Sequence, residues 1–451
     1  MTLRESHLIA LIPLTALALR LASAPTASLS YLVIAAYALL GRAQAIQALA
    51  LSWLFTMLST GVAPLASGAS IGRYAVIAAV ALSLLLRFKP SQGSLTVSPL
   101  VFSTMALGVF LIFHSLYFSQ MTDVSILKAL SWTVVVATLL SAWSGLDDDE
   151  RAHLEHQLFG GLIVLILVSL PLAFTATGYL RNGTGFQGVL SHPQAFGPVV
   201  AFLGGWLAGR LLGSARPRWR DAVLLGLCLV LVIMSEARTA GLALVLGVVA
   251  SVLVSSSLSG IPVRKLLPGL ASRRLFGLAL TAVIGVVLAA PVLSDRIGVY
   301  LTKRSGSTDL VAAAEASRGG LVDEMLVNIE KYPLTGIGFG VASDPSSMRI
   351  DRDPLLGLPT GAAIEKGVLP FAVIEELGIL GALLVFAWLW MLVRRGARSG
   401  VFALSVLTIV LLTNLGEATL FSPGGMGLLP LILLTWAVTG KHHYLRRQAR
   451  V

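Results

Sequence analysis

The chain has 451 residues, of which 56% are hydrophobic and only 12% are charged, and its mean hydropathy is +0.86. This composition excludes a water-soluble domain and indicates a polytopic membrane protein. The net charge of +11 does not indicate nucleic-acid binding, because the basic residues lie mostly in short loops between apolar runs.

Apolar runs follow one another along almost the whole chain. Taking roughly 17–25 apolar residues as one spanning helix, we predict about fourteen helices, which begin near residues 7, 27, 46, 72, 98, 125, 157, 191, 221, 239, 275, 367, 400 and 423. The first has only Arg4 before it and no cleavage site, so it is predicted to span the membrane. The predicted fold is an all-α polytopic membrane protein with about 12–14 transmembrane helices and one large external helical loop.

The pattern divides the chain into four parts. Residues 1–190 are predicted to form N-terminal transmembrane helices and 191–293 core transmembrane helices, followed by the external loop 294–366 and the C-terminal helices with a basic tail, 367–451. Within the loop, "STDLVAAAEASRGGLVDEMLVNIEKY" predicts a helix, "PLTGIGFG" a turn, and "ASDPSSMRIDRDPLLGLPTG" an irregular loop. The acidic "DDDER" near Asp147 is interpreted as a solvated cytoplasmic loop.

The basic residues predict the orientation in the membrane. If the N-terminus is cytoplasmic, strict alternation places the basic loops in the cytoplasm and exports residues 294–366, as the positive-inside rule requires. Both termini are then cytoplasmic, and the predicted location is the bacterial cytoplasmic membrane. The single cysteine, Cys228, excludes an internal disulfide framework and argues against a cysteine metal site. The basic positions are Arg87, Lys89, Arg216, Arg218, Arg220, Arg264, Lys265, Arg273, Arg274, Arg394, Arg395, Arg398 and the tail "KHHYLRRQAR".

Several charged residues are predicted to meet at the outer face. The stretch "IMSEARTAGLAL" places Glu236 and Arg238 in a short turn between two spans, Arg318 lies in the exported loop, and Glu365 and Lys366 lie where that loop returns. An ionisable residue at membrane depth is costly, so it indicates a functional site by default. The alternatives are structural: Arg238 as an interfacial anchor paired with Glu236, and Arg318 as a solvated surface residue.

These residue types suit a diphosphate ligand. The planar guanidinium keeps its charge and offers fork-shaped donors to phosphate oxygens. Glu365 either accepts a proton as a general base or favours a helix N-terminus by its charge. Glu375 and Glu376 lie deeper and require partners, and for one of them we expect a structural pairing, with an arginine as a candidate partner. His192 either begins a helix before its proline or contributes to substrate binding.

In this order the motifs resemble those of the O-antigen ligase and polymerase superfamily of bacterial membrane glycosyltransferases. The resemblance runs through "HPQAFG", "SEARTAGLALVLGVV", "SRGGLVDEMLVNIEKYPLTGIGFG" and "EELGILGALLVFAWLW", which together cover about the C-terminal half. It implies transfer of a glycan from an undecaprenyl-diphosphate carrier to an acceptor hydroxyl at the outer face, without a bound metal, cofactor or nucleotide sugar. It also implies that Arg238 and Arg318 hold the diphosphate leaving group.

The sequence departs from the family pattern at one position. Ligases of the superfamily carry a histidine before the helix that ends the large loop, whereas this loop contains no histidine and reads "IEKG" there, so Glu365 is the candidate replacement. The departure favours an O-antigen or exopolysaccharide polymerase, or a ligase-like enzyme acting on an exopolysaccharide, over ligation to lipid A-core. The expected partners are the lipid-linked oligosaccharide, a glycan acceptor, membrane lipids, and chain-length or export proteins. A ligase, a transporter of the lipid-linked oligosaccharide and a non-catalytic scaffold are the alternatives.

Overall fold

The computed structural model describes residues 3–66, 68–87, 98–281, 310–353, 357–362 and 366–440, with side chains except at 3–10, 310–319 and 360. In this part the chain is mainly helical, with one small β-hairpin, as expected for an all-α polytopic membrane protein; that its large loop is external stays a prediction. The elements are α1 (Leu3–Ala22), α2 (Ala24–Ala38), α3 (Arg42–Met57), α4 (Ala69–Leu86), α5 (Pro99–Phe118), α6 (Thr122–Ser144), α7 (Asp148–Ser169), α8 (Pro193–Gly213), α9 (Trp219–Ser235), α10 (Arg238–Ser259), α11 (Val263–Leu266), α12 (Leu310–Lys331), β1 (Ile350–Arg352), β2 (Pro359–Ala362), α13 (Leu369–Ser399), α14 (Val401–Thr413) and α15 (Leu428–Val438).

Among the described residues, seven helices are long and apolar enough to cross a membrane. They are α4, α5, α6, α7 with its continuation to Phe174, α8, α10 and α13. Shorter apolar helices cover Leu11–Ala22, Ala24–Ala38, Val401–Thr413 and Gly425–Val438. The predicted span near residue 275 falls mostly outside the described residues. The total of 12–14 spans therefore stays a prediction.

The acidic run near Asp147 begins a helix. The Asp147 side chain accepts a hydrogen bond from the Glu150 backbone N–H at 2.8 Å, and the Glu150 carboxylate accepts one from the Asp147 N–H at 3.2 Å. This reciprocal capping box satisfies two N–H groups at the start of α7, where acidic side chains also favour the helix dipole. The interpretation of "DDDER" as a loop was therefore wrong for the residues after Asp147.

The core of the bundle surrounds α8, α14 and α15. All residues of α15 and most residues of α8 are buried. Glycines in α8 allow α14 to approach closely, since a Cβ added at Gly209 would lie 2.8 Å from the Phe402 Cβ. On the outer side of the bundle, Leu242 and Leu253 of α10 are 60% and 70% exposed, as expected for a lipid-facing helix surface.

Hydrogen bonds between chain segments at the helix ends define two distinct ends of the bundle. At one end, here called the arginine end, Arg42 Nη1 donates to the Gly145 carbonyl at 2.7 Å and Arg151 Nη1 donates to Thr439 Oγ1 at 3.0 Å. The opposite end, here called the loop end, contains the segments 183–192, 236–238, 333–341 and 414–427. Basic residues at or just beyond helix ends on the arginine side are Arg87, Arg216, Arg218, Arg220, Arg264, Lys265, Arg394, Arg395 and Arg398.

The segment between the core helices and α13 contains more regular structure than the sequence predicts. The predicted helix is confirmed as α12, whereas the stretch interpreted as an irregular loop contains β1 and β2, paired antiparallel with Ile350 opposite Ala362. Arg352 of this hairpin contacts Asp123 at the start of α6, with 2.7 Å between Nη2 and Oδ2. The tertiary contact stabilises a hairpin that local sequence does not specify. Residues 294–309 of the predicted loop lie outside the described part.

Helix α13 is interrupted at Gly378, where φ is 66° and ψ is 179°. The preceding turn 333–340 supplies the missing hydrogen bonds: Ile337 N–H donates to the Glu375 carbonyl at 2.9 Å and Gly338 N–H to the Glu376 carbonyl at 3.0 Å. Beyond the break, the apolar stretch from Ile379 to Val393 rises about 22 Å, at roughly 1.5 Å per residue, before Arg394 and Arg395. This length is shorter than a hydrocarbon core of about 30 Å but longer than half of it.

Candidate functional site

Arg238 begins α10 directly after a sharp turn at the loop end. Glu236 occupies the left-handed region with φ 55°, which is uncommon for a residue with a side chain. Its carboxylate accepts a hydrogen bond from the Gly185 N–H at 3.2 Å, and Phe186 N–H donates to the Met234 carbonyl at 2.9 Å. These hydrogen bonds hold the segment 183–189 against the turn that contains Glu236. Arg238 itself is half-buried at the N-terminus of α10, a position that favours anions.

His192 lies beside this turn and caps α8. Its Nδ1 accepts a hydrogen bond from the Gln194 N–H at 3.1 Å, so the ring acts as the N-cap of the helix. The start of α8 packs directly on the Arg238 turn, because a Cβ added at Gly197 would overlap the Ala237 Cβ and lie 3.0 Å from Ser235 Oγ. His192 therefore begins α8, which was one of the two roles predicted for it from the sequence. Its predicted contribution to substrate binding stays a prediction.

The segment 414–421 connects the Arg238 turn to Lys366. Asn414 organises it, since its Oδ1 accepts hydrogen bonds from Thr419 N–H at 2.9 Å and Leu420 N–H at 2.8 Å. On one side, Gly416 lies so close to Thr239, the residue after Arg238, that a Cβ on Gly416 would overlap the threonine side chain. On the other side, Ala418 N–H donates to the Lys366 carbonyl at 3.2 Å.

Thr239 and Lys366, which are 127 positions apart in the sequence, therefore both contact one short segment. Sequence reasoning did not identify this segment. A buried asparagine between an apolar run and "LGEATLFSPGG" was the available signal.

Lys366 forms a buried charge cluster with the two glutamates of α13. Its Nζ lies 2.6 Å from Glu375 Oε2 and 3.3 Å from Glu376 Oε1, and the three side chains are 2%, 0% and 9% exposed. The contact with Glu375 is a charge–charge contact and not an aligned hydrogen bond. The other carboxylate oxygens accept from Asn328 Nδ2 at 2.7 Å and from Gly340 N–H at 2.6 Å. The sequence predicted a paired glutamate here, and the structure provides a lysine as the partner of both.

A second lysine adjoins this cluster. Lys128 Nζ lies 5.2 Å from the centroid of the Phe339 ring, within the range of a cation–π contact. A Cβ added at Gly340 would lie 2.7 Å from the same Nζ, so the ammonium stands beside the N–H that Glu376 binds. Sequence reasoning missed Lys128, although a lysine six residues into the apolar helix α6 was a signal for it.

Two predicted site residues are only partly placed. The backbone of Arg318 belongs to α12, but its side chain lies outside the described residues, and Glu365 lies outside them altogether. Asn328, ten residues after Arg318 on the same helix, and Lys366, the residue after Glu365, both contact the carboxylate of Glu375.

A narrow cleft opens near the same end of the bundle. It offers space for about one water molecule in the present conformation. Glu417 is a further carboxylate at this end that sequence reasoning missed. The lining residues are Trp53, Gln194, Ala195, Pro198, Val199, Phe202, Thr413, Glu417, Thr419, Met426, Leu429 and Pro430.

No protein-family model matches the chain, and no curated protein matches it. The likeness to the O-antigen ligase and polymerase superfamily therefore depends on the order and spacing of the quoted motifs.

Proposed function

We propose that the protein is a membrane glycosyltransferase that transfers or polymerises glycan from an undecaprenyl-diphosphate-linked donor onto an acceptor hydroxyl. The observation that carries the proposal is the meeting of the Arg238 turn and Lys366 on the segment 414–421. Three distant parts of the chain thereby bring charged residues to the loop end of the bundle. A diphosphate head group at the membrane surface requires cations at this depth.

The reaction needs few protein groups. The acceptor hydroxyl oxygen forms a bond to the anomeric carbon, while the bond from that carbon to the diphosphate oxygen breaks and its electron pair stays on the diphosphate. Arg238 and Arg318 stabilise the charge that develops on this leaving group, and the Glu365 carboxylate takes the hydroxyl proton. Lys366, His192 and Glu236 are the further proposed substrate-site residues. Glu236 and His192 shape the backbone around Arg238, and Lys366 is buried against Glu375 and Glu376.

The proposed orientation follows from the two ends of the bundle. Basic residues concentrate at the arginine end, which the positive-inside rule assigns to the cytoplasm. The loop end then faces the periplasm or cell exterior, where lipid-linked glycans are displayed. In this arrangement α12 and the hairpin form part of a large external segment, both termini are cytoplasmic, and the chain has 12–14 spans, about the number of its apolar runs.

A transporter of the lipid-linked oligosaccharide is the second candidate, because the structure contains an interrupted helix with buried charges. Transporters use such helices near the bilayer midplane. Here Lys366 and both glutamates precede Gly378, and the apolar part of α13 after the break, about 22 Å, is longer than half of the hydrocarbon core. The charges thus lie on the loop-end side of the midplane, which favours surface chemistry over a midplane transport site.

The test is turnover of native undecaprenyl-diphosphate oligosaccharide by purified protein, with lipid release and glycan length followed together. Wild-type glycan ladders that are lost in Arg238→Ala, Arg318→Ala and Glu365→Gln would support a polymerase. Arg349→Ala serves as the matched control, since Arg349 is an exposed arginine of the same segment. Single transfer to a different acceptor would indicate a ligase. Absence of turnover by folded wild-type protein would refute the proposal and favour the transporter.

A further inference from the structure

Lys128 of α6 adjoins the buried charge cluster but takes no part in its hydrogen bonds. In the part of the chain that the structure describes, its Nζ donates no hydrogen bond and has no carboxylate within ion-pair distance. The ammonium lies over the Phe339 ring and beside Gly340, whose N–H donates to Glu376. The lysine is only partly buried, so a ligand can reach it. An ammonium in this environment is suited to an anionic ligand.

Buried aromatic rings hold this lysine against the segment 414–421. The Phe339 ring packs edge-on against Phe421 with 5.4 Å between the ring centroids, and Phe421 lies 5.1 Å from Trp132. Trp132 is one turn after the lysine on α6, and its Nε1 donates to the Leu420 carbonyl at 3.2 Å. The same segment contacts the turn at the start of α10. The lysine is therefore fixed beside the segment that connects the residues of the proposed substrate site.

The depth of Lys128 in α6 suits the phosphate of a lipid. Helix α6 has 23 residues and is about 34 Å long, slightly longer than a hydrocarbon core of about 30 Å. Lys128 is six residues after Thr122, about 9 Å from the loop end of the helix. A lysine stem can extend from this depth to the interface and keep its ammonium at the level of the head groups. A lipid carries its phosphate at that level.

We infer that Lys128 binds a phosphate of the lipid-linked donor. This inference rests on the proposed function. The ammonium is a compact charge with three rotatable donors, so it can bind a phosphate oxygen without a fixed planar geometry. The alternative role is charge balance within the protein. Lys366 carries one positive charge beside the two negative charges of Glu375 and Glu376, and the charge of Lys128 makes the sum zero.

The test is binding of undecaprenyl diphosphate to purified, monodisperse protein, with undecaprenol and inorganic diphosphate as comparison ligands. Lys128→Met should weaken undecaprenyl diphosphate binding about tenfold to a hundredfold, because a hydrogen bond to a charged group is lost. It should leave undecaprenol binding unchanged, which a general structural defect would not. Lys128→Arg keeps the charge and should bind the lipid more tightly than Lys128→Met. Inorganic diphosphate that binds as tightly as the lipid would assign the site to a soluble anion and overturn the inference.

The matched control is a lysine with a similar aromatic contact. Lys331 Nζ lies 5.3 Å from the centroid of the Tyr332 ring, and the side chain is exposed. Lys331→Met removes the same charge from the end of α12 and should bind undecaprenyl diphosphate as wild type does. Equal weakening in both lysine variants would show a general effect of net charge and would overturn the inference.

A double variant separates ligand binding from charge balance. Lys128→Met/Glu376→Gln makes the cluster neutral again, because Lys366 and Glu375 remain. A phosphate ligand for Lys128 predicts that this variant still binds undecaprenyl diphosphate weakly. Wild-type affinity in the double variant, or in Lys128→Met, would overturn the inference alone. Absence of binding by folded wild-type protein would refute the proposed function and the inference together.

Discussion

Replacement of Gly378 by alanine should destabilise the protein strongly. The residue has φ 66° and ψ 179°, a conformation that residues with a Cβ adopt at a cost of about 1–3 kcal/mol. The added Cβ would also overlap the Leu334 carbonyl and lie 2.7 Å from Thr335 N, so the turn 333–340 must move. That movement strains three backbone hydrogen bonds between the turn and α13, namely the two described above and the one from Ile379 N–H to the Pro333 carbonyl at 2.9 Å. Each contributes about 0.5–1.5 kcal/mol. The expected loss for Gly378→Ala is therefore about 3–7 kcal/mol.

The assay is reversible denaturant unfolding in detergent micelles, followed by circular dichroism. Gly226→Ala is the matched control, because Gly226 lies within α9 and an added Cβ meets nothing within 4 Å. It should leave stability unchanged or raise it by up to about 1 kcal/mol through helix propensity. A Gly378→Ala protein within about 1 kcal/mol of wild type would refute the assignment of a glycine-specific break.

Three further predictions concern charged side chains. Lys366→Met leaves the fully buried Glu375 without its closest cation and should lower the free energy of unfolding by about 3–5 kcal/mol. The double variant Lys366→Met/Glu375→Gln should regain a large part of this stability, because it also removes the unpaired charge. Arg352→Gln removes an ion pair with Asp123 whose side chains are 45% and 50% exposed, so the same assay should register less than about 1 kcal/mol. Arg238→Ala should slow glycan release about a hundredfold, and Arg238→Lys should slow it less, because lysine keeps the charge without the forked donors.

The sequence predicts most of the helices, because long apolar runs leave the backbone few alternatives in a bilayer. It also predicts α12 from the three-and-four spacing of its apolar residues. The hairpin β1–β2 was missed because its support comes from Arg352 and Asp123, which are far apart in the chain. The start of α7 was misread because an acidic run suits water and a helix N-terminus equally well.

The sequence predicted several residues of the candidate site, but not the tertiary contacts between them. Glu375 and Glu376 had to be paired, since unpaired carboxylates at that depth are too costly. That the partner is Lys366 depends on the helix break at Gly378 and on the turn that packs against it. A single glycine in an apolar run predicts neither the break nor the turn. Likewise, nothing in the local sequence indicates that Gly416 brings the segment 414–421 against the Arg238 turn.

The central claim is that the loop end receives a lipid-linked diphosphate at the outer face of the membrane. Leu415 is 50% exposed beside Gly416, and the only native cysteine, Cys228, is buried, so Leu415→Cys provides one accessible thiol. A membrane-impermeant thiol reagent should label this position from outside intact cells. In purified protein, undecaprenyl diphosphate should protect it, and Arg238→Gln should abolish the protection. Labelling from the cytoplasmic side only, or labelling that undecaprenyl diphosphate does not change, would contradict the account.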